Sequence, residues 1–71
     1  MTATLAITLN GEPQTVVPQA VGSLLATLGI SAQTGGVAVA INDAVIPRGR
    51  WGTHQLADGD NVEVVRATAG G

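Results

Sequence analysis

The sequence predicts a two-layer α+β domain, with one helix packed across one face of a mixed sheet of four or five strands. Three observations point there. Apolar residues alternate with period two in three separate segments, the pattern of half-buried strands. A single stripe, Val21, Leu24, Leu25 and Leu28, has helical spacing. Turn-forming pairs, Asn10-Gly11 and Asn42-Asp43, divide the strand segments at hairpin spacing. The length of 71 residues fits one such domain, and no repeat or linker divides it.

Taken in order, Thr4 to Leu9 is the first strand. Leu5, Ile7 and Leu9 share one face, and Thr4, Ala6 and Thr8 the other. Asn10-Gly11 tolerates the positive φ angles of a type I′ turn. A second strand runs from about Glu12 to Val17. Pro13 and Pro18 cannot donate to a ladder, so this strand belongs at an edge. The helix stripe follows. Gly29 suits the left-handed position past the helix end, with Ile30 packing back as in a Schellman motif. The helix start is poor, because Ala20 is a weak cap and Gly22 and Ser23 are indifferent helix formers. After a polar loop, Ser31 to Gly36, comes the strand Val37 to Ile41. Its second face, Ala38 and Ala40, is small enough for a central strand covered on both sides. Ala44 to Ile46 is a short fourth strand ended by Pro47. Arg48 to Leu56 reads as irregular. Asp58-Gly59-Asp60 is a turn before the last strand, Asn61 to about Ala67. Val62 and Val64 face one way there, Glu63 and Val65 the other. This order of hairpin, helix, strand, short strand and strand is that of a β-grasp fold over residues 1–67.

Composition narrows the function. Three Arg (Arg48, Arg50 and Arg66), no Lys and five acidic residues make no phosphate-binding surface and no polybasic membrane segment. No apolar run approaches a membrane span, and Met1 to Thr4 lacks the basic region of a signal peptide. A cytoplasmic domain is the expectation. Without Cys there is no disulfide, thiolate nucleophile or Cys-based zinc site. So short a chain is also a poor host for an enclosed catalytic cleft. With no Phe or Tyr, the core must be built of Val, Ile and Leu.

The end of the chain is unusual. Thr68-Ala69-Gly70-Gly71 carries no charge and no large side chain, and spans roughly 13 Å when extended. Composition alone leaves an ordinary flexible terminus or an expression scar open. The other reading is a flexible tail whose glycines enter a narrow slot in a partner. The working group is then the α-carboxylate of Gly71, with Ala69 and Gly70 threading behind it.

Several segments together resemble the ubiquitin-like sulfur carriers, and within them the ThiS-type carriers of thiamine (thiazole) biosynthesis. They are Gln19-Ala20-Val21 with Leu24-Leu25 and Leu28; Ala38 to Asn42, placed in the central strand; Val45-Ile46-Pro47-Arg48 with Trp51 and His54; Asp58-Gly59-Asp60; and Ala69-Gly70-Gly71. Val-Ile-Pro-Arg, the Trp three residues on, Asp-Gly-Asp and the terminal Ala-Gly-Gly make the combination specific. The chain departs from the family pattern at Ala20, Gly22 and Ser23, where a better cap and a charged residue are common.

The resemblance implies a carrier, not an enzyme. A ubiquitin-activating-type adenylyltransferase would use ATP to adenylate Gly71. A persulfide enzyme would supply sulfur, leaving a C-terminal 1-thioglycine (thiocarboxylate). Thiazole synthase would then take the sulfur. No cofactor, metal, nucleic acid or membrane is implied for the carrier itself. The alternatives are a sulfur carrier for molybdopterin synthesis, and a ubiquitin-like protein modifier. The lack of Lys disfavours chain building by such a modifier.

Remaining residues have modest readings. Trp51 is first an anchor for the thin core and second a partner contact. Arg48 and Arg50 are solvated surface charges, or else meet an acidic patch on a partner. His54 alone is a poor metal site. Ser23, His54 and Asp58 lack the spacing of a triad, and the glycine pairs do not form a phosphate loop. The outward sheet face (Thr4, Ala6, Thr8, Ala38, Ala40 and Val65) is expected to dock the activating enzyme, with Ala40 and Val65 at its heart.

Overall fold

The computed structural model describes residues 3–67. Five strands, one helix and one 3-10 turn follow in the expected order. They are β1 (Leu5–Leu9), β2 (Glu12–Val16), α1 (Val21–Thr27), β3 (Val37–Ile41), β4 (Ala44–Val45), the 3-10 turn (Arg48–Arg50) and β5 (Asn61–Arg66). The sheet order is β2-β1-β5-β3-β4. β1 and β5 run parallel, and the other neighbouring pairs are antiparallel.

The alternation of the strands decides what is buried. Ile7 and Leu9 of β1, Val39 and Ile41 of β3, and Val62 and Val64 of β5 point to one side. There they meet Val21, Leu24 and Leu25 of α1, with Ile30, Ile46, Trp51 and Leu56 closing the rim. This face of the sheet and one helix stripe form the core. Each large aliphatic side chain so buried contributes about 1.5–3 kcal/mol.

Both hairpins turn on two residues with positive φ: Asn10 (50°) with Gly11 (83°), and Asn42 (51°) with Asp43 (69°). The two asparagines also clamp the middle strand. Asn10 Oδ1 accepts from the Val64 N–H at 2.8 Å, and its Nδ2 donates to the Val64 carbonyl at 3.2 Å. Asn42 Oδ1 accepts from the Asn61 N–H at 2.9 Å. Its Nδ2 donates to Asp60 Oδ1 at 3.1 Å. A short polar side chain that tolerates left-handed backbone thus continues a ladder where the main chain has turned away.

The helix ends as its sequence requires. Gly29 has φ 78°, and its N–H donates to the Ala26 carbonyl. The Ile30 N–H reaches back to Leu25, completing a Schellman motif, and Ile30 is buried. The helix start is held differently. Ala20 makes no side-chain cap. Instead the Val21 N–H donates to the His54 carbonyl at 2.9 Å and the Gly22 N–H to the Trp51 carbonyl at 2.7 Å. The first-turn donors, which normally need a capping side chain, are satisfied by the 51–54 segment. Gly22 permits this approach. A Cβ there would meet the Trp51 carbonyl oxygen at 3.2 Å and the Gly52 Cα at 3.6 Å. Helix propensity alone predicts about 1 kcal/mol of stabilisation from Gly22→Ala. We expect none, and a loss of roughly 2 kcal/mol for Gly22→Val. A raised urea midpoint for Gly22→Ala would contradict this contact.

Four sequence expectations are corrected. The middle strand is β5, not the Ala38 to Asn42 strand, because β1 and β3 both pair with β5. The second face of β3 is not covered: Ala38 is exposed and Ala40 half-buried. Leu28 leaves the helix stripe. It is the C-cap and is 39% exposed, since the left-handed turn at Gly29 has already ended the helix. Arg48 to Leu56 is less irregular than expected. It opens with the 3-10 turn and bridges back to Ala20 through Gln55.

Candidate functional site

Two features meet near the end of β5: a smooth outer sheet face and the point from which the chain continues to its last residues. The outer face follows from strand phase. Ala38 lies opposite Val65, and Ala40 lies opposite both Glu63 and Val45. Ala6 lies opposite Thr15, and Thr8 opposite Pro13 and Asn61. Val65 is 61% exposed and Val45 74% exposed, large values for valines in strands. Glu63 carries the single charge among the described strand residues of this phase. Ala6, Thr8, Ala38, Ala40 and Val65 of the expected set are therefore brought onto one face, while Thr4 precedes β1 and lies outside the ladder. Val45 was missing from that set. The signal was available: counting pairs outward from the two-residue Asn42-Asp43 turn puts Val45 opposite Ala40.

The root of the chain end lies beside this face. The last pair of the β3–β5 ladder is Val37 with Arg66. The Ala67 N–H then donates to the Gly36 carbonyl at 2.6 Å. Gly36 adopts φ 71°, a left-handed conformation that leaves its carbonyl aimed at Ala67. Gly71, Ala69 and Gly70, the residues read above as the reactive end and its threading segment, lie outside the described residues.

Trp51 and the arginines separate. Trp51 is 3% exposed, and its indole Nε1–H donates to the Ile46 carbonyl at 3.1 Å. Its ring is thus part of the core, as the anchor reading has it, and offers almost no surface to a partner. The Arg48 guanidinium covers that ring, 4.5 Å from its centroid, and Nη1 donates to the Ala32 carbonyl at 2.6 Å. Arg50 is exposed and makes no side-chain hydrogen bond among the described residues. His54 is half-buried and serves through its carbonyl at the helix start. Asp58 and Asp60 shape the turn before β5. Asp58 Oδ1 accepts from the Ala6 N–H at 2.7 Å, and Asp60 Oδ2 from the Ala57 N–H at 2.8 Å.

A sequence model of the ThiS family matches residues 7–71, from within β1 to the final glycine. The chain belongs to the ThiS family. Its body is closely similar to a crystal structure of the thiamine biosynthesis protein ThiS from Geobacter metallireducens. The TM-score is 0.75 and the identity 34%, covering 94% of this chain and 100% of that one. A solution NMR structure of a thiamine biosynthesis protein from the same organism gives a TM-score of 0.75 at 33% identity, covering 94% of this chain and 88% of that one. The sulfur carrier protein ThiS of Escherichia coli (strain K12) is 42% identical over 36 residues. That match spans 51% of this chain and 54% of the relative, about half of its length. The mixed five-stranded sheet with one helix is the β-grasp fold of the ThiS family. No helix among the described residues is long and apolar enough to cross a membrane.

Proposed function

We propose that the chain is a sulfur carrier that supplies sulfur to thiazole formation in thiamine biosynthesis. The observation that carries this reading is that the family match extends through Ala69-Gly70 to Gly71. A folded body alone would suit any interaction domain.

The chemistry requires an exposed carboxylate and partners that act on it. A carboxylate is a poor electrophile, so it must first be given a leaving group. An adenylyltransferase of the ubiquitin-activating class binds the body and admits the last residues to its ATP site. A Gly71 carboxylate oxygen attacks the α-phosphate and pyrophosphate departs, leaving an acyl-adenylate. The terminal sulfur of a partner's persulfide attacks the acyl carbon and AMP departs. A second thiol takes the other sulfur of the resulting acyl disulfide, releasing a thiocarboxylate on Gly71. Thiazole synthase then receives that sulfur. The carrier contributes no catalytic group. Ala69 and Gly70 suit a narrow passage, because neither side chain extends beyond a methyl.

The outer sheet face is the proposed docking surface, with Ala38, Ala40, Val45 and Val65 forming its apolar part. Small side chains let a partner approach the sheet closely, and Val65 stands just before the chain end. Ala40→Glu and Val65→Glu each place a charge in the contact, and should weaken binding to the activating enzyme at least tenfold, about 1.4 kcal/mol. Adenylate formation at limiting carrier should fall in parallel, while thermal stability stays close to that of the parent. Unchanged affinity in a pull-down or titration would refute this docking surface.

A further inference from the structure

A set of contacts, joined through the backbone at Gly35, links the core to the last described residue. It starts at Trp51, held by its bond to Ile46. Arg48 lies over the indole and donates to the Ala32 carbonyl. Ala32 belongs to the loop between α1 and β3. That loop is closed on itself: the Ser31 N–H donates to Thr34 Oγ1 at 2.9 Å, and the Thr34 N–H to the Ser31 carbonyl at 3.0 Å. The Gln33 N–H adds a bond to Ser31 Oγ at 3.2 Å. The same loop ends at Gly36, whose carbonyl receives the Ala67 N–H at 2.6 Å. This is the last backbone bond of the described chain before residues 68–71.

We propose that Arg48 is a positioning residue for the reactive chain end. Through the 31–36 loop it holds the Gly36 carbonyl in place, and so sets the direction in which the chain leaves Ala67. The loop's own three bonds make the 31–34 turn internally stiff, and its ends are held by the buried Ile30 and by β3 at Val37. Between those ends, the Arg48 donation to Ala32 is the one side-chain bond from the body among the described residues, made by a guanidinium that lies over the buried Trp51 ring. A planar donor held on an aromatic face presents its N–H groups at a fixed angle. Gly36 then needs only its left-handed φ to aim its carbonyl at Ala67. Arg48 therefore acts within the carrier, in place of the partner contact that its charge alone suggested. The functional half of this inference rests on the proposed adenylation of Gly71.

The test uses the full chain and three variants, Arg48→Ala, Arg48→Lys and Arg50→Ala. Amide hydrogen exchange at Ala67 and steady-state adenylation by the activating enzyme are measured for each. In Arg48→Ala, Ala67 protection should fall roughly fivefold, the scale of one weakened hydrogen bond. Exchange at Val39 and Val62 should be unchanged, which establishes that the body is folded. The kcat for adenylation should fall roughly tenfold, because a slightly misdirected end misses the attack geometry. KM should stay within about twofold of the parent. Arg48→Lys, which keeps the charge and a donor, should recover part of both effects, and Arg50→Ala should show neither. Unchanged Ala67 protection in Arg48→Ala would overturn the inference. So would a raised KM with kcat intact, the signature of a partner contact. If the parent chain forms no adenylate, the sulfur-carrier reading fails, and Ala67 exchange still decides whether Arg48 holds the chain end.

Discussion

Deletion of Gly71 is expected to abolish adenylation while leaving the domain as stable as the parent. The two halves of this expectation have separate causes. Stability comes from the buried set that runs from Ile7 to Val64, and nothing in that set depends on residue 71. Reactivity depends on reach. One residue of extended chain is about 3.3–3.6 Å, so the shortened chain ends that far from the α-phosphate. Misplacement of a reacting atom by about 1 Å already costs roughly a hundredfold. Pyrophosphate release with the activating enzyme should therefore drop by at least that factor, with an unchanged thermal melt. Gly71→Ala should be intermediate, since it restores the length but adds a methyl group where the slot must be narrow. Adenylation at the parent rate without Gly71 would show that the chain end is not the working group.

The largest loss of stability should follow Trp51→Ala. This is the chain's single aromatic residue, and it is almost wholly buried. Removing a buried aromatic side chain costs about 3–5 kcal/mol. A domain of this size is expected to have only about 4–10 kcal/mol in total. The loss is enlarged here because the Trp51 side chain serves two other elements. Its indole satisfies the Ile46 carbonyl, and its ring supports Arg48. The melting temperature should fall by roughly 15 °C or more, or the cooperative transition should vanish. Trp51→Phe keeps most of the ring contact and loses the indole hydrogen bond. It should cost about 1–3 kcal/mol, read from urea midpoints. A Trp51→Ala protein that melts within a few degrees of the parent would place the anchor of the core elsewhere.

Much of this architecture is legible in the amino-acid order, for local reasons. The period-two runs at Leu5 to Leu9 and Val37 to Ile41, the Asn10-Gly11 turn and the Gly29 helix end each depend on residues a few positions apart. Their physics is local, and the structure follows them. What sequence could not supply lies in contacts between distant segments. The uncapped helix start at Ala20 looked like a weakness. It is held by carbonyls some thirty residues away, at Trp51 and His54. Gly22 looked like a poor helix former, and its value appears only when the 51–52 backbone lies against it. The middle place of β5 cannot be read from alternation, which reports which face is buried and not which strand is the neighbour. Leu28 satisfies the helical period but is the C-cap, one residue past Thr27, because the left-handed turn at Gly29 ends the helix there. Arg48 carried only a charge until its loop and its ring were seen together. The proposed reactive end is the reverse case: Ala69-Gly70-Gly71 is read only from the sequence, through its composition and its place in the family match.

The most direct measurement of the central claim is the intact mass, with the C-terminal peptide, of the protein purified from its native cells during thiamine-limited growth. The expected result is a population heavier than the encoded chain by the mass difference of one sulfur for one oxygen, localised to Gly71 and lost on treatment that hydrolyses thiocarboxylates. A chain that carries only an ordinary carboxylate under these conditions, or that is recovered joined through Gly71 to amines of other proteins, would contradict it.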